Sequence, residues 1–130
     1  INKKIKYREK FRPFAPAIIN KFTKDFFEFE YNSPFMEKAL KIKTSKRKLI
    51  PSVTHIDGTG RLQTVSRKTN KKFYDLIFRF YRKTGIPILL NTSFNIQGEP
   101  IVCSVEDAIT NFYLSGLDEL YIGDFIITKK

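Results

Sequence analysis

Two short segments far apart in the sequence carry side chains suited to holding an anion. Lys6, Arg8 and Arg12 lie close together near the start of the chain, and Ser93 and Asn95 lie two positions apart much later. Residues two positions apart on a strand point to the same face. Guanidinium and ammonium groups neutralise phosphate charge, while a hydroxyl and an amide supply neutral hydrogen bonds that orient the bound molecule. This combination favours a site for a small polyanion.

A buried strand is predicted just before the second segment. Residues 87–91 form a continuous apolar run, which is typical of a strand buried on both faces. Open sheets bind ligands beyond the ends of their strands, so Ser93 and Asn95 follow the strand at a position that favours function. The alternative is that both are turn residues whose side chains bind nearby backbone groups.

Two amphipathic helices are predicted to support the sheet. Residues 70–84 carry apolar side chains at helical spacing, and Gly85 is positioned to end that helix. Ser104 and Asp107 match a capping box at the start of a second helix, which Gly116 is expected to end. The stripe of the first helix that is expected in the core consists of Phe73, Leu76, Ile77, Phe80 and Tyr81.

Shorter elements are predicted in the remaining sequence. Asn20 is suited to cap a short helix through residues 24–29. Residues 57–60 combine an aspartate with two glycines and predict a tight turn, either a plain hairpin turn or one that approaches phosphate. Strands that alternate with packed helices indicate an α/β or α+β architecture in a single domain. Further strands are predicted over residues 14–19 (a strand or a sheet edge), 35–43, 52–56, 62–66, 120–122 and 125–128.

The formal net charge of +11 invites a nucleic-acid interpretation. Lysines and arginines concentrate in residues 3–12, 38–48 and 68–83. We interpret the run over 38–48 as a solvated hairpin or loop, the usual setting of such runs. The aromatic residues lie mostly at helix-core spacing, so we do not expect nucleic acid as the partner, and a positive potential fits nucleotide and phosphate substrates as well. A nucleic-acid-binding module and a noncatalytic docking domain stay as the two alternatives.

Single cysteine and histidine residues restrict other chemistries. Cys103 has no partner for an internal disulfide, and its apolar neighbours predict an inert, buried strand residue. His55 is the one histidine, so a zinc site built by this chain is not expected; a structural hydrogen bond and a nucleotide contact are both open to it. The chain has neither an apolar run long enough to cross a bilayer nor a signal-peptide pattern, so we expect a cytoplasmic protein without membrane contact.

Four stretches, residues 6–16, 53–63, 89–95 and 98–102, resemble the C-terminal domain of the O-carbamoyltransferases of the NodU/CmcH type, in the same order over nearly the whole chain. The resemblance implies a YrdC-like fold, with a twisted mixed sheet, helices packed on its faces and a concave basic cavity. Because the chain opens with Ile1 and the first stretch follows at once, we expect residues 1–130 to be one domain of a longer enzyme. Its N-terminal, metal-containing transferase domain would then be a partner in the same polypeptide.

The resemblance also implies a reaction. The family's domain binds carbamoyl phosphate and ATP, forms a bound carbamoyl adenylate with release of pyrophosphate, and supplies the carbamoyl group to an acceptor hydroxyl held by the N-terminal domain. Mg²⁺ is expected to bind through the nucleotide phosphates, and iron or another metal is expected only in the N-terminal domain. Threonylcarbamoyl-adenylate synthesis for tRNA modification shares the fold and the adenylate chemistry, but residues 12–16 and 54–58 point towards carbamoyl transfer.

Carried over residue by residue, the resemblance assigns a catalytic set, to which we add a set of expected nucleotide contacts. Lys6 and Arg12 are implied to clamp phosphate, and Arg61 is implied to be a third cation at the reacting phosphates. The full catalytic set is Lys6, Arg12, Arg61, Ser93 and Asn95, and the nucleotide-binding set is Arg8, Thr54, His55 and Arg67.

Plain alternatives stay open for the cations of the first segment. Lys6 could be a solvated lysine, Arg8 could pair with Glu9 or Glu30, and Arg12 could form a buried structural ion pair. Lys10 lies two positions before Arg12 and makes a second, overlapping pair of the same spacing. We discount Lys10, since the resembled family does not require a lysine there.

Overall fold

The computed structural model describes residues 1–9 and 11–129 and divides the chain into two compact units. We call Pro13–Thr92 the sheet unit, and Ile1–Arg12 together with Ser93–Lys130 the terminal unit. Lys10, the lysine of the overlapping second pair, lies outside the described residues.

The sheet unit is built on a four-stranded mixed sheet with the strand order β2-β3-β1-β4. Strand β1 pairs in parallel with β3 and antiparallel with β4, while β2 and β3 are antiparallel. The predicted mixed α/β class is therefore confirmed, whereas the concave basic cavity stays a prediction. The strands are β1 (Ala15–Ile19), β2 (Lys38–Lys41), β3 (Thr59–Val65) and β4 (Ile88–Asn91).

Strand β1 lies inside the sheet, so the option of a sheet edge for residues 14–19 is wrong. Pro16 pairs with Leu90 of β4, and the pairing with β3 begins one residue later, where Ala17 is opposite Gln63. A proline at the beginning of a strand therefore leaves the parallel ladder intact despite its missing N–H. The edge position belongs to β4 instead, and its last three residues are only half-buried, which corrects the expectation of burial on both faces.

Helix α3, the third helix of the chain (Lys71–Thr84), packs on this sheet and follows the predicted bounds closely. The side chain of Asn70 accepts a hydrogen bond from the backbone N–H of Phe73, and Gly85 ends the helix with a φ of 75°. The buried face is centred on Ile77, which packs in a cluster with Ala17, Ile19 and Val65 and is flanked by the partly buried Phe73, Tyr74 and Phe78. The predicted stripe was wrong at two positions, because Leu76 and Phe80 lie on the exposed side of the helix.

Three local expectations in the sheet unit are corrected. The segment 52–56 is not a strand, because Pro51–Val53 form a 3-10 turn. Asn20 does not cap a helix with its side chain; it begins the 3-10 turn Asn20–Phe22, which leads directly into α1 (Thr23–Phe26). The basic run over 38–48 is a strand followed by a helix, since β2 is succeeded by α2 (Thr44–Arg47).

The terminal unit combines a π-helical turn, Asn2–Lys6, with α4 (Val105–Leu114) and a hairpin of β5 (Glu119–Ile122) and β6 (Phe125–Thr128). Its core consists of Ala108, Phe112 and Leu120, surrounded by partly buried side chains. The predicted capping box of Ser104 and Asp107 is confirmed. Across the described part of the chain, the helices are too short or too polar to span a membrane.

Gly116 has a different role from the predicted one. Helix α4 ends at Leu114, and its C-cap is Ser115 in an extended conformation, so no left-handed glycine ends the helix. The backbone N–H of Gly116 instead donates a hydrogen bond to the carbonyl of Lys4 at 3.1 Å. A Cβ at position 116 would lie 2.5 Å from that carbonyl oxygen, so only glycine permits this approach.

Candidate functional site: a cationic segment and a polar loop

Lys6 is the most buried of the predicted site residues, with 4% of its surface exposed. Its ammonium group donates to the backbone carbonyls of Ser93 at 2.7 Å and Asn95 at 2.5 Å. It also donates to the side-chain oxygen of Asn95 at 2.9 Å and lies 3.5 Å from the hydroxyl of Ser93. The structure therefore brings three members of the predicted catalytic set into one cluster, and the solvated alternative for Lys6 is wrong.

Ser93 and Asn95 are also bound to each other. The Ser93 hydroxyl donates to Asn95 Oδ1 at 2.6 Å, and Asn95 Nδ2 donates to the carbonyl of Glu99 at 2.9 Å. We call residues 93–99 the polar loop. Local hydrogen bonds of this kind belong to the turn alternative, yet the Ser93 side chain stays exposed, so this loop is accessible as well as locally bonded.

The two arginines of the first segment are held by neighbours in the same segment. Arg8 Nε donates to Asn2 Oδ1 at 2.8 Å, and Asn2 Nδ2 donates to the carbonyl of Arg12 at 2.8 Å. Arg12 Nε forms an ion pair with Glu9 at 2.7 Å, with about half of the arginine side chain exposed. The apolar, buried setting expected for Arg12 is therefore wrong, because this residue lies at the surface in an ion pair.

Electrostatics couples these cations. Burial lowers the pKa of Lys6, and the positive charge of Arg8 lowers it further. Burial likewise lowers the pKa of Arg8, followed by repulsion from Arg12, whereas Glu9 acts in the opposite direction. Lys6 and Arg8 are thus each destabilised by burial and by a neighbouring cation, and an anion bound beside them would relieve that repulsion.

The remaining predicted residues belong to the sheet unit. Arg61 is an exposed residue of β3 and pairs with Ala39 of β2 in the sheet. Thr54 uses its hydroxyl locally and donates to the carbonyl of Ile50 at 2.9 Å. Arg67 lies 3.8 Å from Asp75 in an exposed ion pair. These contacts are structural, and they leave the ligand roles of the three residues as predictions.

His55 has a defined tautomer in this environment. The Thr59 hydroxyl donates to Asp57 Oδ1 at 2.7 Å, so it accepts the proton of His55 Nδ1 at 3.0 Å. The other ring nitrogen, Nε2, is buried without a hydrogen-bond partner among the described residues. Of the two roles expected for His55, the structural hydrogen bond is therefore present, and the nucleotide contact stays a prediction.

The turn before β3 is not the predicted hairpin turn, and its approach to phosphate stays a prediction. No strand precedes it, so it is not a hairpin turn, and Gly58 has a φ of 78°. The guanidinium of Arg47 packs directly over this glycine, where an added Cβ would lie 2.4 Å from Cζ. The two hydrogen bonds that Thr59 donates, from its backbone N–H and its hydroxyl, lower the pKa of Asp57 and stabilise the turn.

Two further residues were not predicted. Asn111 on α4 is buried, and its Nδ2 donates to the carboxylate of Glu99 at 2.9 Å. A polar residue at a core position of an amphipathic helix, next to Phe112 and three residues after Ala108, is the signal that could have found Asn111. Glu99 lies within one of the four stretches quoted above, but its bond to a distant helix could not be inferred from that stretch.

The predicted environment of Cys103 is wrong. This residue is exposed in the loop before α4. Its thiol donates to Asp107 Oδ2 at 3.5 Å, and this hydrogen bond to a carboxylate raises the pKa of Cys103. The apolar neighbours Ile101 and Val102 belong to the loop rather than to a strand.

The fold defines this chain as a mixed α/β domain of the helix-on-sheet class. Comparison with known proteins gives the family, because the model of the carbamoyltransferase C-terminus matches residues 1–129. The chain belongs to the carbamoyltransferase C-terminus family.

Relatives of known name agree with this assignment. The chain is 47% identical over its full length to the nodulation protein NolO of Bradyrhizobium diazoefficiens, and the match covers 24% of the length of NolO. It is also 47% identical to the nodulation protein NolNO of Sinorhizobium fredii, covering all of this chain and 20% of the relative. Nodulation protein U of Rhizobium tropici is 32% identical over 97% of the chain and 21% of the relative. The chain thus spans about a quarter or less of the length of these relatives.

Proposed function

We propose that this chain is the carbamoyl-adenylate-forming domain of an O-carbamoyltransferase, which binds carbamoyl phosphate and ATP. The observation that carries the proposal is the arrangement of Lys6, Arg8 and Arg12, three cations in one segment whose lysine is bound to the polar loop and is repelled by Arg8. Membership of the carbamoyltransferase C-terminus family supports it.

The proposed reaction requires side chains that neutralise the charge of the phosphates and orient the two substrates. It does not require a nucleophilic side chain. In the first step, water hydrolyses carbamoyl phosphate to carbamate and inorganic phosphate. A carbamate oxygen then bonds to the α-phosphorus of ATP while the bond to the bridging oxygen of pyrophosphate breaks. Arginine side chains stabilise the negative charge on the transferring phosphoryl group and on the leaving group.

The residues of the terminal unit have separate proposed roles. Arg12 and Arg8 contact phosphate oxygens. The Ser93 hydroxyl, which donates to Asn95 Oδ1 in the free protein, turns to donate a neutral hydrogen bond to the bound anion. Lys6 holds the carbonyls of Ser93 and Asn95 in place, so its contribution to binding is largely positional. Mg²⁺ arrives with the nucleotide, held by its phosphates.

Transfer to an acceptor is proposed to need a further part of the same polypeptide. The relatives are roughly four to five times longer than this chain, since it covers 20 to 24% of their length. We propose that an N-terminal transferase domain, which in the resembled family contains the metal, holds the acceptor hydroxyl and receives the carbamoyl group.

Calorimetric titration of the full-length protein tests the proposal. The ligands are a nonhydrolysable ATP analogue with Mg²⁺, and then carbamoyl phosphate. We expect binding to weaken roughly tenfold or more in Arg12→Ala and in Ser93→Ala, because each loses a hydrogen bond to the bound anion. Arg82→Ala, an exposed arginine of α3, is the matched control and is expected to bind as the parent does. Unchanged binding in both site variants would show that Arg12 and Ser93 do not belong to the site. If the parent protein binds neither ligand, the proposed function is wrong.

A further inference from the structure

The terminal unit contains a cavity that none of the predicted site residues lines. Its volume is about 290 Å³, close to the lower limit of roughly 300 Å³ for small-molecule pockets. One side is apolar and is formed by Pro100, Ile101 and Val102. The polar residues that complete the lining are Glu99, Cys103, Asp107, Thr110 and Asn111. We call it the α4 pocket.

Asn111 gives this pocket a specific hydrogen-bonding requirement. The residue is 6% exposed, and its Nδ2 is bonded to Glu99 Oε2 at 2.9 Å. Its Oδ1 is buried and has no hydrogen-bond partner in the described part of the chain. A buried carbonyl oxygen left unpaired is destabilising, so a ligand that donates a hydrogen bond to it would be stabilised.

The charged side chains that line the α4 pocket are acidic, whereas the chain as a whole is basic. The lining contains two carboxylates and no lysine or arginine, although the protein has a net charge of +11. Asp107 Oδ2 already accepts from the backbone N–H groups of Cys103 and Ser104, whereas the carboxylate of Glu99 accepts only from Asn111 among the described residues. Phosphate is therefore disfavoured here, and a neutral or cationic N–H donor is favoured.

The α4 pocket is connected to the polar loop by direct hydrogen bonds. Glu99 accepts from Asn95 through its backbone carbonyl at 2.9 Å and from Asn111 through its carboxylate. The same Asn95 is bound to Lys6. A molecule with a phosphate end and an amino-bearing apolar end therefore matches the two chemically distinct parts of the terminal unit.

We propose that the α4 pocket binds the adenine ring of ATP, with its exocyclic amino group donating to Asn111 Oδ1 and to the carboxylate of Glu99; this inference rests on the function proposed above. The two N–H bonds of that amino group match two neighbouring acceptors, and Pro100, Ile101 and Val102 cover the faces of the ring. The cavity is large enough for a purine, whereas a carbamoyl group of three heavy atoms would leave most of it empty. Hypoxanthine has an oxygen in place of the amino group and would meet both acceptors with lone pairs, so the pocket selects adenine.

Cys103 provides a direct readout, because it is exposed and lines the pocket. The full-length protein is alkylated with iodoacetamide at alkaline pH, and modification of Cys103 is measured by peptide mass spectrometry. The probes are adenosine, inosine, tripolyphosphate and carbamoyl phosphate, each added alone. We expect adenosine to slow the alkylation as it saturates, while the other three leave the rate unchanged.

A matched pair of variants tests the two acceptors. In Glu99→Gln the side-chain oxygen can still accept from Asn111, so the fold is retained, but a charge-assisted hydrogen bond to the ligand is lost. Protection by adenosine is expected to need roughly tenfold more ligand. Glu106→Gln makes the same change at a residue of α4 outside the pocket lining and is expected to behave as the parent does.

The outcomes separate this inference from the proposed function. Equal protection by adenosine and inosine, protection by tripolyphosphate or carbamoyl phosphate in place of adenosine, or no protection at all would each overturn the adenine assignment. If the ATP analogue still binds by calorimetry in those cases, the proposed function stands without the pocket. If adenosine protects Cys103 while the ATP analogue does not bind at the cations, the pocket stands and the proposed function fails.

Discussion

At the residue scale, Lys6 is bound inside the protein and is not presented to solvent. Four oxygen atoms of Ser93 and Asn95 surround its ammonium group, none of them from a carboxylate. The hydrogen bonds stabilise the ammonium group, but none of these four partners carries a negative charge to offset its desolvation, and burial lowers its pKa. Arg12, in contrast, forms an exposed ion pair with Glu9, and such surface pairs are weak enough for an anion to replace. The sequence suggested the same role for both residues, and the structure separates them.

Replacing Lys6 tests this positional role. Lys6→Met keeps the length and apolar stem of the side chain but removes three donors from the polar loop. We expect the free energy of unfolding to fall by about 1–3 kcal/mol, the usual effect of losing hydrogen bonds from a buried charged group. Urea denaturation of the full-length protein measures it. Lys3→Met, the same change at an exposed position of the same turn, should lie within about 0.5 kcal/mol of the parent. Equal stability of the two variants would show that Lys6 does not hold the loop.

The reactivity of Cys103 provides a second prediction at this scale. Its pKa is raised first by the hydrogen bond to Asp107 and then by the charge of that carboxylate. We therefore expect slow alkylation at neutral pH, with the rate rising at higher pH than for an ordinary cysteine. Asp107→Asn removes the charge and should move the pH–rate profile to lower pH, while Glu106→Gln should not move it. A profile that is the same in all three proteins would contradict the assignment.

At the element scale, the terminal unit depends on close packing between its first and last segments. The π-helical turn Asn2–Lys6 has no side-chain cap, and Tyr7 follows it in a left-handed conformation with a φ of 50°. Two backbone contacts attach this segment to the rest of the unit, from Gly116 to Lys4 and from Gln97 to Lys6. The position of Lys6 against the polar loop therefore depends on Gly116 as well as on its own ammonium group.

Gly116→Ala tests this dependence. The added Cβ would lie 2.5 Å from the carbonyl of Lys4, so the two segments must separate and the hydrogen bond at 3.1 Å must lengthen. We expect the amide of residue 116 to exchange faster with solvent and the unfolding free energy to fall by about 1–3 kcal/mol. Hydrogen exchange read by mass spectrometry or NMR measures the first effect. Asp118→Ala, an exposed change two residues later, should alter neither quantity. Unchanged exchange at residue 116 would show that the glycine is not required there.

At the scale of the whole molecule, the charge of +11 has two possible uses, and they differ in their response to salt. Binding of a long polyanion releases many counterions, so its affinity falls steeply with salt concentration. A nucleotide carries only a few charges and is also held by neutral hydrogen bonds and ring contacts. The exposed aromatics Phe11, Phe35 and Phe125 keep the nucleic-acid alternative testable.

Salt dependence distinguishes these two uses. We expect a single-stranded oligonucleotide to lose affinity by roughly a thousandfold between about 50 and about 200 mM salt if it binds through six or more phosphates. The ATP analogue should lose affinity by a much smaller factor over the same range. Fluorescence anisotropy for the oligonucleotide and calorimetry for the nucleotide provide the comparison. An oligonucleotide that remains the tighter ligand at the higher salt concentration would favour the nucleic-acid alternative.

Several helix caps and strands of this protein could be predicted from local sequence patterns alone. The capping box of Ser104 and Asp107, the glycine that ends α3 and the strands that close the chain follow from interactions within a few residues, so they were predicted correctly. The pairing of a lysine with Ser93 and Asn95 was also available from their residue types. Predictions failed where a neighbour distant in sequence decides the outcome: the edge position of β4, the exposed side of α3 at Leu76 and Phe80, and the exposure of Cys103.

The sequence by itself determined the helix-on-sheet class and the residue types of an anion site, because periodicity, caps and charge are properties of short segments. Only the tertiary structure decided which cation is buried and which faces solvent. It alone also joined Glu99 to Asn111 and left one amide oxygen without a partner. The physical reason is that burial and hydrogen-bond satisfaction depend on groups brought together from distant positions in the chain, and no local pattern records which groups will meet.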